Sequence, residues 1–203
     1  VLVAKGDFTL ALGQVRSAAL FSGNGQDADA MTLTLSNVGI FVGVGGGLTD
    51  VGSDGDYSND TVANGTLGFG ATVTTLTLVS IKDRGASALL ATDDRTYLGV
   101  ALKDFDGDLV GLDDLLVFHA YNVDAVINKS VHADGVTAVS KLDWSTFSNT
   151  GMDLSAAKTA LNATTLGAVT ASVDLAVDGG VALNVLDGVL VAKGDFTLAL
   201  GQV

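Results

Sequence analysis

Val1-Leu-Val-Ala-Lys-Gly-Asp-Phe-Thr-Leu-Ala-Leu-Gly-Gln-Val15 recurs without a substitution as Val189–Val203. The offset, 189 − 1 = 188 residues, is the period of a tandem repeat, and an internal repeat conditions every later reading. Residues 1–188 are therefore read as one full unit and 189–203 as the start of the next. No Met precedes Val1, and its counterpart Val189 follows Val185-Leu-Asp-Gly188, so the chain is expected to continue in both directions.

Within the repeated segment Phe8, Leu10 and Leu12 alternate with Thr9, Ala11 and Gly13, the period-2 pattern of a strand, here expected to have one buried face. Lys5-Gly-Asp7 reads as a turn or bulge. The same alternation returns in Met31, Leu33 and Leu35 and in Leu98, Val100 and Leu102. Between Leu67 and Ile81 the phase changes at Thr74-Thr75, which predicts a bulge or bend. Val38–Val44 and Leu115–Ile127 are apolar and β-branched enough for further strands. Beyond residue 166, short strands are expected at 166–177, 181–186, 189–192 and 196–203, broken by turns at Asp178-Gly-Gly, Asp187-Gly and Lys193-Gly-Asp.

One helix is expected, over Asp153–Asn162, with Asp153 as its cap and Leu154, Ala157 and Leu161 on one face. The Gly-rich stretch 45–60 is the longest expected loop. Residues 128–149 are polar and broken around the aromatic anchor Trp144 and Phe147, and the short apolar run 86–91 fits no one state. The fold class is all-β with at most one short helix. The expected architecture is an elongated continuous sheet, either solenoid-like or a wide antiparallel meander, because pairing crosses the repeat boundary without a linker. A tandem β-sandwich is the alternative.

Composition narrows the function classes. The net charge is −13, which opposes binding to nucleic acid or to anionic membranes, since phosphates call for clustered Lys and Arg. No apolar run approaches a membrane span of about 20 residues. With no Cys, disulfides and thiolate chemistry are excluded; with no Pro and 26 Gly, turns fall to Gly, Asp and Asn.

Candidate sites are few. Asp104, Asp106 and Asp108 follow the D-x-D-x-D rhythm of a calcium loop, expected as a turn, because hard cations collect carboxylate oxygens. Leu109 stands where an EF-hand needs Gly, and Asp113 and Asp114 are the nearest substitutes for its final Glu. Asp54, Asp56 and Asp60 form a second acidic group. His119 and His132 are isolated, Gly43–Gly47 matches no phosphate-binding pattern, and no nucleophile elbow is present, so no enzyme is expected. Trp144, Phe147 and Tyr121 could form a sugar platform, but core packing accounts for them better.

An acidic, Cys-free, Pro-free repeat rich in Gly, Asp, Val and Thr resembles the tandem arrays of giant bacterial surface proteins, including large adhesins of the RTX type. The RTX nonapeptide is missing, Gly45-Gly-Gly-Leu-Thr-Asp50 being the nearest approach. The resemblance implies an extracellular or cell-surface location, a structural or adhesive role and calcium as a possible cofactor. The leading expectation is a repeat of a long extracellular β-rich filament or adhesin stalk, whose partner is itself. The alternative is a surface module that binds glycan or a neighbouring cell through its long loops.

Overall fold

The computed structural model describes residues 1–20, 27–85 and 91–201. Its strands are β1 (Leu2–Arg16), β2 (Ala28–Val44), β3 (Gly47–Thr49), β4 (Thr61–Ala63), β5 (Leu67–Asp83), β6 (Arg95–Val110), β7 (Leu116–His132), β8 (Thr150–Gly151), β9 (Val173–Val185) and β10 (Leu190–Gly201). Helix α1 (Ser155–Leu161) is the only α-helix among the described residues. The all-β class is as expected. One antiparallel sheet runs β10-β9-β7-β6-β5-β2-β1-β8, and β3 pairs with β4 in a separate hairpin. Strands adjacent in the main sheet follow one another along the chain apart from two excursions, so the architecture is a wide meander.

Alternation of apolar and small or polar residues dictates what each face carries. On one face Val79, Ile81, Tyr97, Ala101 and Val126 lie under a layer formed by residues 139–169. Trp144 and Phe147 anchor that layer, their rings edge-on at 5.7 Å, with Leu154, Ala157 and Leu161 of the α1 region beside them. All five are buried, so the aromatic pair is core, and Tyr121 lies apart from it beneath Lys193. Leu154, not the expected Asp153, is the N-cap of α1 and makes no side-chain cap hydrogen bond; Asp153 stands one residue earlier, its carboxylate accepting the Ser155 N–H at 2.8 Å.

The opposite face carries two rows that cross seven strands in direct register. Leu10, Leu33, Leu78, Val100, Ile127, Leu175 and Leu200 form one; Phe8, Leu35, Leu76, Leu102, Ala125, Val177 and Leu198 form the other. None of the fourteen is buried. Phe8, Leu10 and Leu12, expected to point into a core, are 74%, 52% and 71% exposed.

A line of irregularities crosses the middle of the sheet. Asn37, Asp104 and Asn122 have φ of 52°, 49° and 51°, a left-handed conformation that Asn and Asp tolerate better than other side chains. Asn37 faces Thr74 and Thr74 faces Asp104 at gaps in the pairing, and β7 slips against both neighbours at the same level. The bend expected at Thr74 is thus part of a ridge shared by several strands.

Three expected breaks are absent. β6 continues through Asp104–Asp108, kinked at Asp104 but unbroken, β9 through Asp178-Gly-Gly180 and β10 through Lys193-Gly-Asp195. Gly179 and Gly180 serve packing: a Cβ at Gly179 would stand 2.8 Å from Val123, and one at Gly180 2.2 Å from the Tyr121 ring. Asp187-Gly188 does make its hairpin turn, with φ of 47° and 94°. The segment 166–172 is not strand, β3 interrupts the expected 45–60 loop, and residues 86–90 lie outside the described residues.

Candidate functional site

The three carboxylates of the D-x-D-x-D stretch are spread along one strand, and each has its own partner. Asp104 receives the Lys103 ammonium at 2.9 Å, Asp106 accepts the Asn122 N–H at 2.8 Å, and Asp108 meets His119. Among the described residues no three Asp, Glu, His or Cys side chains gather as a metal would need. The ridge explains the arrangement. A kinked residue drops out of the ladder, its N–H must find another acceptor, and a carboxylate supplies it. Asp106 does this for Asn122. Asp124, 1% exposed, does it for Asp104 at 2.8 Å and also accepts the Thr165 N–H and hydroxyl at 2.7 and 2.9 Å.

Burial pushes the Asp124 carboxyl up, but these donors outweigh it and hold the group below the usual carboxylate range. In the 45–60 stretch Asp54 and Asp56 cap turns by accepting the Asp56 and Ser58 N–H groups at 2.8 and 2.9 Å, while buried Asp60 accepts the Val51 N–H at 3.2 Å. His132 faces Asp134 at 3.0 Å.

A cleft of about 550 Å³ lies between the β3–β4 hairpin and the sheet, lined by polar groups that include Asn37, Asn59, Asn64, Thr72 and Asp106. Among the described residues no aromatic ring lines it.

The geometry with the clearest chemical consequence lies at the two edges of the sheet, where the repeated segment occurs as β1 and again as β10. On β1, Val1 exchanges both backbone hydrogen bonds with Gly43 on the β2 side, the Gly43 N–H donating at 2.9 Å. Bonded positions alternate along an antiparallel strand. Val3 and Lys5 therefore also address β2, whereas Leu2 and Ala4 present their N–H and C=O outward. The alternation is unchanged past the ridge, where the outward Gln14 carbonyl accepts the Met152 N–H at 2.8 Å.

On β9, the Leu186 N–H donates to the Leu115 carbonyl on the β7 side at 2.9 Å. Val185 accordingly bonds to the residue opposite it on β10, Leu190. In β10 the even-numbered residues are thus bonded to β9 and the odd-numbered ones face outward. The offset of 188 is even, so the side of the segment that is free in one copy is the bonded side in the other.

The two sets of contacts also occupy different stretches. β9 pairs with Leu190–Gly201, the counterpart of Leu2–Gly13, whereas β8 pairs only with Val15 and Arg16. Among the described residues no strand pairs with the outer side of β10. The side chains differ in the same way: Lys5 donates to the Ser58 carbonyl at 3.0 Å, while its counterpart Lys193 lies 5.3 Å over the Tyr121 ring. The same fifteen residues thus meet different neighbours at the two edges.

Sequence reasoning identified the repeated segment but missed that its copies lie at opposite edges with complementary free sides, which needs the strand order. It also missed the open apolar face, because alternation marks a face without saying whether anything covers it. No family model matches the chain, and no curated protein or solved structure matches it either.

Proposed function

We propose that the chain is a structural repeat, one period of a long β-rich filament or adhesin stalk in which the last strand of each unit is the first strand of the next. The observation behind this reading is the opposite bonding of β1 and β10. The outward side of β10 is the side that β2 occupies on β1, and the outward side of β1 along Leu2–Gly13 is the side that β9 occupies on β10. A following β2 would pair with β10 and a preceding β9 with β1, without displacing β8. Every backbone group on the shared strand would then have a partner, and neither edge would remain open to unrelated pairing.

A heterologous, head-to-tail junction of this kind propagates without closing unless its rotation happens to form a ring. An exact repeat suits it, because each junction needs the same strand. Six strands of one period (β1, β2, β5, β6, β7 and β9) add to the width of the main sheet, β8 sharing the outer side of β1 with the preceding β9, so at roughly 4.8 Å per strand the axial advance is about 29 Å.

Electron microscopy of the native material is the test. Unbranched filaments with an axial repeat near that value are expected. Discrete globules on a flexible string would overturn the proposal.

A further inference from the structure

We propose that the uncovered apolar face of the main sheet packs against the same face of a second copy of this chain, closing two sheets into a sandwich. This inference does not depend on the array reading, because a single unit already carries the whole face.

The face carries an unbroken apolar band. Its fourteen row residues are all apolar, in direct register across seven strands, and none is buried. Phe8, Leu10, Leu198 and Leu200 are 74%, 52%, 47% and 53% exposed. The other face of the same strands is the measure of what cover does, since Val79, Ile81 and Val126 beneath the 139–169 layer are at most 2% exposed. A monomer rarely leaves a contiguous apolar patch beyond a few hundred Å² in water.

Size, charge and shape point to a second copy as the occupant. The row side chains leave several hundred Å² accessible, Phe8, Leu10, Ile127, Leu198 and Leu200 being 74%, 52%, 39%, 47% and 53% exposed, the scale of the roughly 800 Å² per partner in a stable interface. The rows contain no charged group, so the net charge of −13 does not sit in the contact. A sheet of aligned Leu and Val is complementary to itself under a two-fold axis, and two such faces pack at about 10 Å with interleaved side chains. The β3–β4 hairpin region borders the face: Leu48 and Tyr57, 41% and 72% exposed, wall an apolar cleft with Phe8, Leu33 and Leu35. That wall would limit where the partner sheet can slide.

The test is sedimentation equilibrium of the 203-residue chain and of variants, with circular dichroism to verify the fold. The wild type should be a dimer at micromolar concentration. Val100→Glu, at the centre of the rows, should weaken dimerisation at least a hundredfold. Val100→Thr, nearly isosteric and still suited to a strand, should weaken it several-fold and covers the case in which the Glu variant does not fold. Ala199→Pro blocks only the outer edge of β10 and should leave the face dimer intact. A monomeric wild type, or a dimer lost on Ala199→Pro but indifferent to both Val100 variants, would overturn the inference, the latter while supporting edge pairing. Vesicles of neutral phosphatidylcholine that bind the wild type but not Val100→Glu, with no dimer in their absence, would assign the face to lipid and also overturn it.

Discussion

Gly99 lies directly beneath Trp144: a Cβ built on Gly99 would stand 2.8 Å from Trp144 Cε2 and 2.9 Å from Leu161 Cδ1. The indole is 1% exposed and Leu161 fully buried, so neither can swing away as the tip of a flexible surface side chain could. Gly99 is thus the recess that lets the 139–169 layer seat on the sheet. Gly99→Ala is expected to destabilise by about 1–3 kcal/mol through overpacking, and Gly99→Val by more. Urea denaturation followed by Trp144 fluorescence measures both, and an unchanged midpoint for Gly99→Val would mean that the layer does not seat there.

Asn128 joins the same layer to β7 by three hydrogen bonds. Its amide nitrogen donates to the Leu142 and Thr170 carbonyls at 2.8 and 2.9 Å, and its carbonyl oxygen accepts the Trp144 indole N–H at 3.0 Å. Asn128 is 1% exposed, and removing its amide takes the partner from the Leu142 carbonyl and the Trp144 indole N–H, while the Thr170 carbonyl keeps the Val173 N–H at 3.2 Å. Asn128→Ala should cost roughly 2–4 kcal/mol, whereas Asn59→Ala, in the exposed turn before β4, should change stability by less than about 1 kcal/mol. Equal losses in the two variants would refute this account of the layer.

Acid should weaken the ridge through Asp124. Its carboxyl is held below the ordinary value of 3.8 because the Asp104 and Thr165 donors outweigh the upward push of burial. A depressed folded value means that the carboxylate stabilises the fold above the unfolded value and ceases to do so as the pH falls through the folded one. The wild type should therefore lose stability below about pH 4 more steeply than Asp124→Asn, which is less stable at pH 7 but lacks this titration. Urea midpoints from pH 7 down to pH 2 test the slope; parallel curves would exclude Asp124 as the group concerned.

Local pattern made the strands, α1 and the Asp187-Gly188 turn legible, because alternation, an i, i+3, i+7 face and a turn dipeptide are all set by near neighbours. Errors arose where turn-forming residues were used by distant ones. Asp104 adopts the left-handed conformation that its type allows, but within a strand, because Thr74 of β5 faces it and Asp124 of β7 receives its N–H. Gly179 and Gly180 make room for Val123 and Tyr121, residues nearly sixty positions away. The expectation that Phe8, Leu10 and Leu12 are buried failed for the same reason: what covers a face is decided by topology, and the layer that could have covered them packs on the other side.

The repeated segment provides its own control for the edge assignment. Ala11 of β1 lies opposite Thr32 and, by the alternation set at Val1 and Gln14, bonds to β2. Its counterpart Ala199 of β10 lies opposite Ala176, but its N–H points to the free side. Proline removes that N–H and is tolerated in a sheet only where the N–H faces outward. Ala11→Pro should therefore cost about 3 kcal/mol or more, and Ala199→Pro less than about 1 kcal/mol, although both alter the same residue in the same fifteen-residue context. In a protein with a second period joined on, Ala199 would bond to the next β2 and the mild substitution should become as costly as Ala11→Pro. Thermal melts of the single and double units carrying each change measure this. A cost at Ala199 that does not rise in the double unit would mean that the sheet stops at β10.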